Sequence, residues 1–197
     1  MRKNRVLFNF LLLIALAQTF SCHISHDKEI ICSSNLEKAR LLMFKMPIDT
    51  LSLDSALILL NHSIQCDSIK TAVIDLKVSL LITLGKFKSG SEFVDSLTET
   101  DFVFPYKKQL YHDNFIALNY QADKDTSKRN LIYQQMVSNL TRYINENKSN
   151  PNELEDAFLD LYTIKRIFVD SLTINREIDS LKNIYPNNKN LFDFLKD

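Results

Sequence analysis

Only two glycines, Gly85 and Gly90, punctuate a chain of 197 residues. Loops that cradle phosphate need several residues able to take positive φ or to let backbone approach a ligand closely, so Walker and Rossmann fingerprints are excluded. Four prolines, no tryptophan and long stretches rich in Leu, Ile, Lys, Asp and Ser suit helices joined by short loops. No segment carries the sustained alternation of a strand. The expected fold is all-α, with about seven or eight helices.

Apolar spacing and capping signals divide the chain into those helices. Ser34-Asn35-Leu36-Glu37 reads as a capping box opening a helix that Pro47 stops after Lys45. A second helix begins near Leu53 and carries Ala56, Leu57, Leu60 and Ile64 on one face. A third runs from Ile69 to Leu84, with Gly85 as the residue beyond its end that can take the left-handed conformation. A short helix over 89–97 follows, and Pro105 suits the first turn of the next, which bears Leu110, Phe115, Ile116, Leu118 and Tyr120. Asp125 or Thr126 caps a strongly amphipathic helix through Ile132, Met136, Leu140 and Ile144. Asn150-Pro151-Asn152-Glu153 combines an N-cap, a first-turn proline and an N3 glutamate. A helix over 171–185 and a brief one after Pro186, docking Leu191, Phe192 and Leu195, complete the set.

The N-terminus reads as an address. Arg2, Lys3 and Arg5 precede the run Val6 to Ala17, apolar except for Asn9, which matches the basic and apolar regions of a secretory signal peptide and is too short for a membrane span. Gln18-Thr19-Phe20-Ser21-Cys22 follows, and this stretch resembles the lipobox of bacterial lipoproteins of the looser, Bacteroidetes type, with Thr19 where Leu or Val is usual. The resemblance implies that residues 1–21 are removed and that the Cys22 thiol is acylated. Ala15-Leu16-Ala17 offers a competing site for ordinary cleavage, which would leave a soluble periplasmic or secreted protein. Without residues 1–21 the chain has 21 basic and 24 acidic residues, a formal charge of −3. That balance gives no electrostatic reason to bind nucleic acid or anionic lipid, so membrane attachment would come through the lipid. Residues 22–33 then read as a tether and 34–197 as the helical domain.

Leu84-Gly85-Lys86-Phe87-Lys88-Ser89-Gly90 resembles the turn of a tetratricopeptide repeat, with Phe87 for the usual Tyr and Gly90 for the usual small Ala. Ala56 stands 34 residues before Gly90, one repeat length, and the segment from Ala56 to Ser68 resembles the second helix of the preceding repeat, with Ser68 in place of proline. Small residues at Ala56, Ser63 and Gly90 would let paired helices approach closely, while Leu60, Ile64 and Leu97 fill the space between them. The resemblance covers about residues 37–104 and implies a helical hairpin array, an α-solenoid presenting a surface to protein or peptide partners.

Residues that could carry chemistry are sparse. Cys32 and Cys66 either pair, as an exported chain allows, or stand as two half-buried thiols in helices, the commoner situation for a core cysteine; neither lies in a C-x-x-C motif. His23 and His26 fall in the tether, and His62 and His112 on polar helix faces. No H-E-x-x-H or G-x-S-x-G motif is present. Glu153, Glu155 and Asp156 read as acidic residues that complement a helix dipole. Catalytic residues, cofactors and metal ligands are therefore not expected. One tripeptide recurs: Asp, then Ser or Thr, then an apolar residue, with hydroxyls at Thr50, Ser55, Ser68, Ser96, Ser171 and Ser180. It is similar to the O-glycosylation sequon of exported Bacteroidetes proteins, and Asp and Ser are equally favoured caps and first-turn residues. The functional expectation is a lipid-anchored, non-enzymatic binding or assembly module of the cell envelope; the alternative is an immunity lipoprotein that masks one toxin.

Overall fold

The computed structural model describes residues 28–45, 49–147 and 150–196. The expected signal peptide, Cys22, His23 and His26 lie outside them. Among the described residues every regular element is helical. The α-helices are α1 (28–43), α2 (Thr50–Ser63), α3 (Lys70–Thr83), α4 (Phe87–Asp95), α5 (Tyr106–Ala122), α6 (Thr126–Glu146), α7 (Pro151–Lys165), α8 (Ser171–Ile184) and α9 (Lys189–Phe194). Single 3₁₀ turns at Asp67–Ile69, Glu99–Asp101 and Pro186–Asn188 join some of them. The chain divides at Leu84–Gly85 into two compact units, called here unit 1 and unit 2.

In unit 1 the first helix starts six residues before the expected Ser34 cap, so 28–33 of the expected tether are helical. Tertiary burial outweighs the capping signal: Cys32, Leu36 and Ala39 recur at helical spacing, and all three are buried. The Lys28 ammonium donates to the Gln65 carbonyl at 3.3 Å, and the Ser68 hydroxyl donates to Glu29 at 2.7 Å. The start of α2 is also early, because the Asp49 carboxylate accepts from the Ser52 amide at 2.8 Å and caps the helix there. The core of the unit comprises Leu36, Ala39, Leu53, Ala56, Leu60, Val73 and Leu80. Ser63 is buried among them, its hydroxyl donating to the carbonyls of Leu59 and Cys32.

Gly85 lies beyond the end of α3 with φ +65°, the left-handed cap its position predicts. The helices on either side of that turn, α3 and α4, belong to different units.

Unit 2 holds all seven tyrosines. Its core runs from Leu110 and Ala117 of α5, through Tyr133, Met136, Leu140 and Ile144 of α6 and Leu154, Phe158 and Leu161 of α7, to Ile174, Ile178 and Phe192. Phe158 meets Phe192 edge-on at 5.1 Å between ring centres. Tyr162 is fully buried beside Glu177, whose carboxylate pairs with Lys165; burial first, and then Glu177, raise the Tyr162 pKa. Gly90 acts here as the small residue its position suggests. A Cβ placed on it would stand 2.2 Å from the ring of Phe115, itself buried, so α4 and α5 approach each other over a bare Cα.

Candidate functional site

Tyr106 and Tyr143 bring the first turn of α5 beside the last turn of α6, as expected of antiparallel neighbours joined by the short loop 123–125. Their rings are 4.5 Å apart and tilted by 49°. They wall a groove of about 360 Å³ whose floor includes Leu110, Met136 and Leu140. Its rim carries Glu99, Asp113 and Glu146 against a single base, Arg142, with the amides of Gln109 and Asn139 between them. Helical spacing places Tyr106, Gln109 and Asp113 along one side, and Asn139, Tyr143 and Glu146 along the other.

Helix α7 fixes the Tyr106 ring from behind. The Tyr106 hydroxyl donates to Asp160 at 2.9 Å. Asp160 also accepts from the Lys107 ammonium at 2.7 Å, and Asp156 lies 2.9 Å from the same ammonium. Lys107 is 9% exposed, which is uncommon for a lysine and demands such partners. Burial alone would lower its pKa; Asp160 and Asp156 outweigh burial and hold it above its ordinary value. Burial raises the Asp160 pKa, with Lys107 opposing that rise. Burial also raises the Tyr106 phenol, and Asp160 adds to the effect. Tyr143 is pushed up to about 12, by burial and then by the nearby Glu153 carboxylate. Tyr106 is thus tied at its hydroxyl to an α7 carboxylate, leaving its carbon framework beside that of Tyr143 to line the groove.

Rim groups are held more loosely. Asp113 accepts from Gln109 at 2.7 Å, and its Oδ1 lies 3.3 Å from Nδ1 of His112; Nε2 of the same imidazole is 3.6 Å from Asp95. Arg142 donates to Asn139 at 3.2 Å. Glu99 and Glu146 form no ion pair among the described residues. The arrangement offers apolar ring surface, amides for backbone hydrogen bonds and a negative edge.

The residues singled out from sequence do not converge on this groove. Cys32 and Cys66 are joined as a disulfide with Cα atoms 6.4 Å apart, linking α1 to the turn after α2; both are buried, and Cys66 lies outside any α-helix. The reading of two separate thiols in helices does not describe this arrangement. Thr50, Ser55, Ser68, Ser96, Ser171 and Ser180 are all exposed and dispersed over both units. Thr50 and Ser171 open α2 and α8 behind the capping carboxylates of Asp49 and Asp170. Ser55, Ser96 and Ser180 donate to carbonyls of their own helices. His62 is exposed on α2. Of the acidic residues assigned to the helix dipole, only Glu153 falls in the first turn of α7; Asp156 binds Lys107, and Glu155 accepts from Asn188 at 3.4 Å. Tyr106, Lys107 and Asp160 carried no sequence signal, because their partners are more than 50 residues away in the chain. Among the described residues no group of three or more His, Cys, Asp or Glu side chains is arranged to hold a metal ion, and no helix is long and apolar enough to cross a membrane. Compared with protein-family models, curated proteins and solved structures, the chain matches none of them.

Proposed function

We propose that this chain is an envelope lipoprotein whose helical body is a tetratricopeptide-like, non-enzymatic module that binds a protein or peptide partner. The observation that carries the reading is the α5–α6 groove, whose Tyr106 wall is fixed from behind by Asp160 before any ligand arrives. Preorganised aromatic surface of this kind binds without the entropic cost of ordering the side chains. Burial of the small Ala56 and close helix approach at Gly90 support the repeat-like architecture, and the lipobox ending at Cys22 supports the anchor. The exposed hydroxyls of the six Asp-Ser/Thr-apolar tripeptides support glycosylation in the same compartment.

The test uses the full chain in its native host with a photo-crosslinking phenylalanine analogue at Tyr143, or at Leu131 on the exposed face of α6. A discrete adduct from position 143 and none from 131 is expected, together with an acyl mass on Cys22. Adducts equal in number and size from both positions would sink the binding reading. A stoichiometric adduct with one imported toxin would favour the inhibitor over an assembly module.

A further inference from the structure

We infer that the α5–α6 groove takes a cationic side chain, lysine or arginine, presented by an extended peptide segment of the partner. The inference rests on the binding role proposed above and names the chemistry of the partner. Three features of the groove act together. The Tyr106 ring already faces the Lys107 ammonium at 5.4 Å and stacks on Phe104, so it offers an apolar edge, whereas the Tyr143 ring beside it presents π surface, against which a long aliphatic stem packs and over which a cation is attracted by the ring quadrupole. The mouth carries Glu99, Asp113 and Glu146, of which Glu99 and Glu146 have no ion-pair partner among the described residues, so a cationic head leaves the stem buried and meets carboxylate at the rim. The one base there, Arg142, is turned to Asn139 and is outnumbered three to one by the rim carboxylates. An acidic side chain in the same groove would meet like charge and lose hydration without a partner.

Rigidity adds selectivity. Because Asp160 holds the Tyr106 phenol oxygen, that ring resists swinging aside for a bulkier aromatic guest, whereas the narrow stem of Lys or Arg needs no such movement. Gln109 and Asn139 also line the groove; with the Gln109 nitrogen given to Asp113 and the Asn139 oxygen to Arg142, the Gln109 oxygen and the Asn139 nitrogen are left to hydrogen-bond a peptide backbone.

The experiment measures binding of fluorescein-labelled Leu-Arg-Leu-Arg-Leu amide to the full chain in detergent micelles, by fluorescence anisotropy. The same peptide with citrulline for arginine keeps the stem length and removes the charge; a third carries glutamate. The arginine probe is expected to bind about tenfold tighter than the citrulline probe, the sum of one cation–π contact and two rim attractions of roughly 0.5 kcal/mol each. E99K/E146K should erase that preference, while E92K, the reversal of an exposed α4 charge outside the groove, should leave it within about twofold. Tyr143→Phe keeps the ring and should retain binding; Tyr143→Leu should weaken it. Equal binding of the arginine and citrulline probes, preference for glutamate, or an equal loss from E92K would each overturn the inference. If the crosslink at position 143 persists in that event, the groove is a binding surface for another chemistry; if it is absent too, the binding role falls with it.

Discussion

Units 1 and 2 reach a stable core by different means. Unit 1 spans residues 28–84 among those described, its core is aliphatic, and a disulfide ties its first helix to the turn after its second. Unit 2 has a longer chain, interlocking rings and a buried lysine shared between two aspartates. Surface-to-volume scaling explains the contrast. A segment as short as unit 1 buries too small a fraction of its surface to offset chain entropy comfortably, so a covalent link adds what packing lacks. Unit 2 has volume enough for aromatic packing and can accommodate a desolvated charge cluster.

The comparison can be broken most directly at the disulfide. Replacing Cys32 and Cys66 with serine should lower the stability of unit 1 by about 4 kcal/mol, the chain-entropy value for a loop of this length, and leave unit 2 unchanged. Hydrogen-exchange mass spectrometry separates the two: protection should fall across α1–α3 and persist across α5–α7. Equal loss in both would show that the units are not energetically independent. Next in size is Lys107→Met, which strands Asp160 and should cost about 3 kcal/mol in unit 2 alone. Adding Asp160→Asn should recover part of that loss, read as a coupling energy in a double-mutant cycle. Gly90→Ala drives a methyl into the Phe115 ring and should cost about 2 kcal/mol, with α4 and α5 the first to exchange. Gly85→Ala sits at the junction with positive φ and should cost about 1 kcal/mol, without favouring either core.

The smallest effect concerns acid. Hydrogen bonds from Ser52 and Thr173 hold the Asp49 and Asp170 carboxyls below the ordinary 3.8. A depressed folded pKa contributes stability that is present above the unfolded value and lost as pH falls through the folded one. Asp160 runs the other way. Its raised pKa makes its contribution greatest below the ordinary carboxylate value and smaller as pH rises through the folded value. Acidification should therefore loosen the starts of α2 in unit 1 and of α8 in unit 2, while easing the charge cluster in unit 2. Asp49→Asn, an equally good cap, should flatten the acid dependence of α2 in denaturation followed by ellipticity between about pH 2 and pH 5.

Helices were legible in the sequence wherever a local rule decides them. Asp125 caps α6 with its carboxylate accepting from the Lys128 amide at 3.0 Å, Asn150 precedes Pro151 at the start of α7, and Gly85 takes positive φ. The Ser34 cap failed because burial of Cys32 and the bonds of Lys28 and Glu29 are decided by residues more than 30 positions away. The groove was hidden for the same reason. Tyr106, Tyr143 and Asp160 come from three helices, and an apolar stripe does not reveal which phenol will meet which carboxylate. Asp156 looked like a dipole residue because charge near a helix start is common, whereas its partner Lys107 lies far upstream. Nothing in the spacing of Cys32 and Cys66 distinguished a bond from two thiols; only the packing of α1 against α2 brings them together.

The confinement of all seven tyrosines to unit 2, in a chain without tryptophan, gives the molecule a built-in optical label. Ultraviolet emission from tyrosine reports one half and is blind to the other, so melting of the disulfide-linked half will pass unseen in that channel. Tyr106, quenched by its hydrogen-bonded carboxylate, should brighten when α7 lets go, and a guest in the groove should change the light of both tyrosines that wall it.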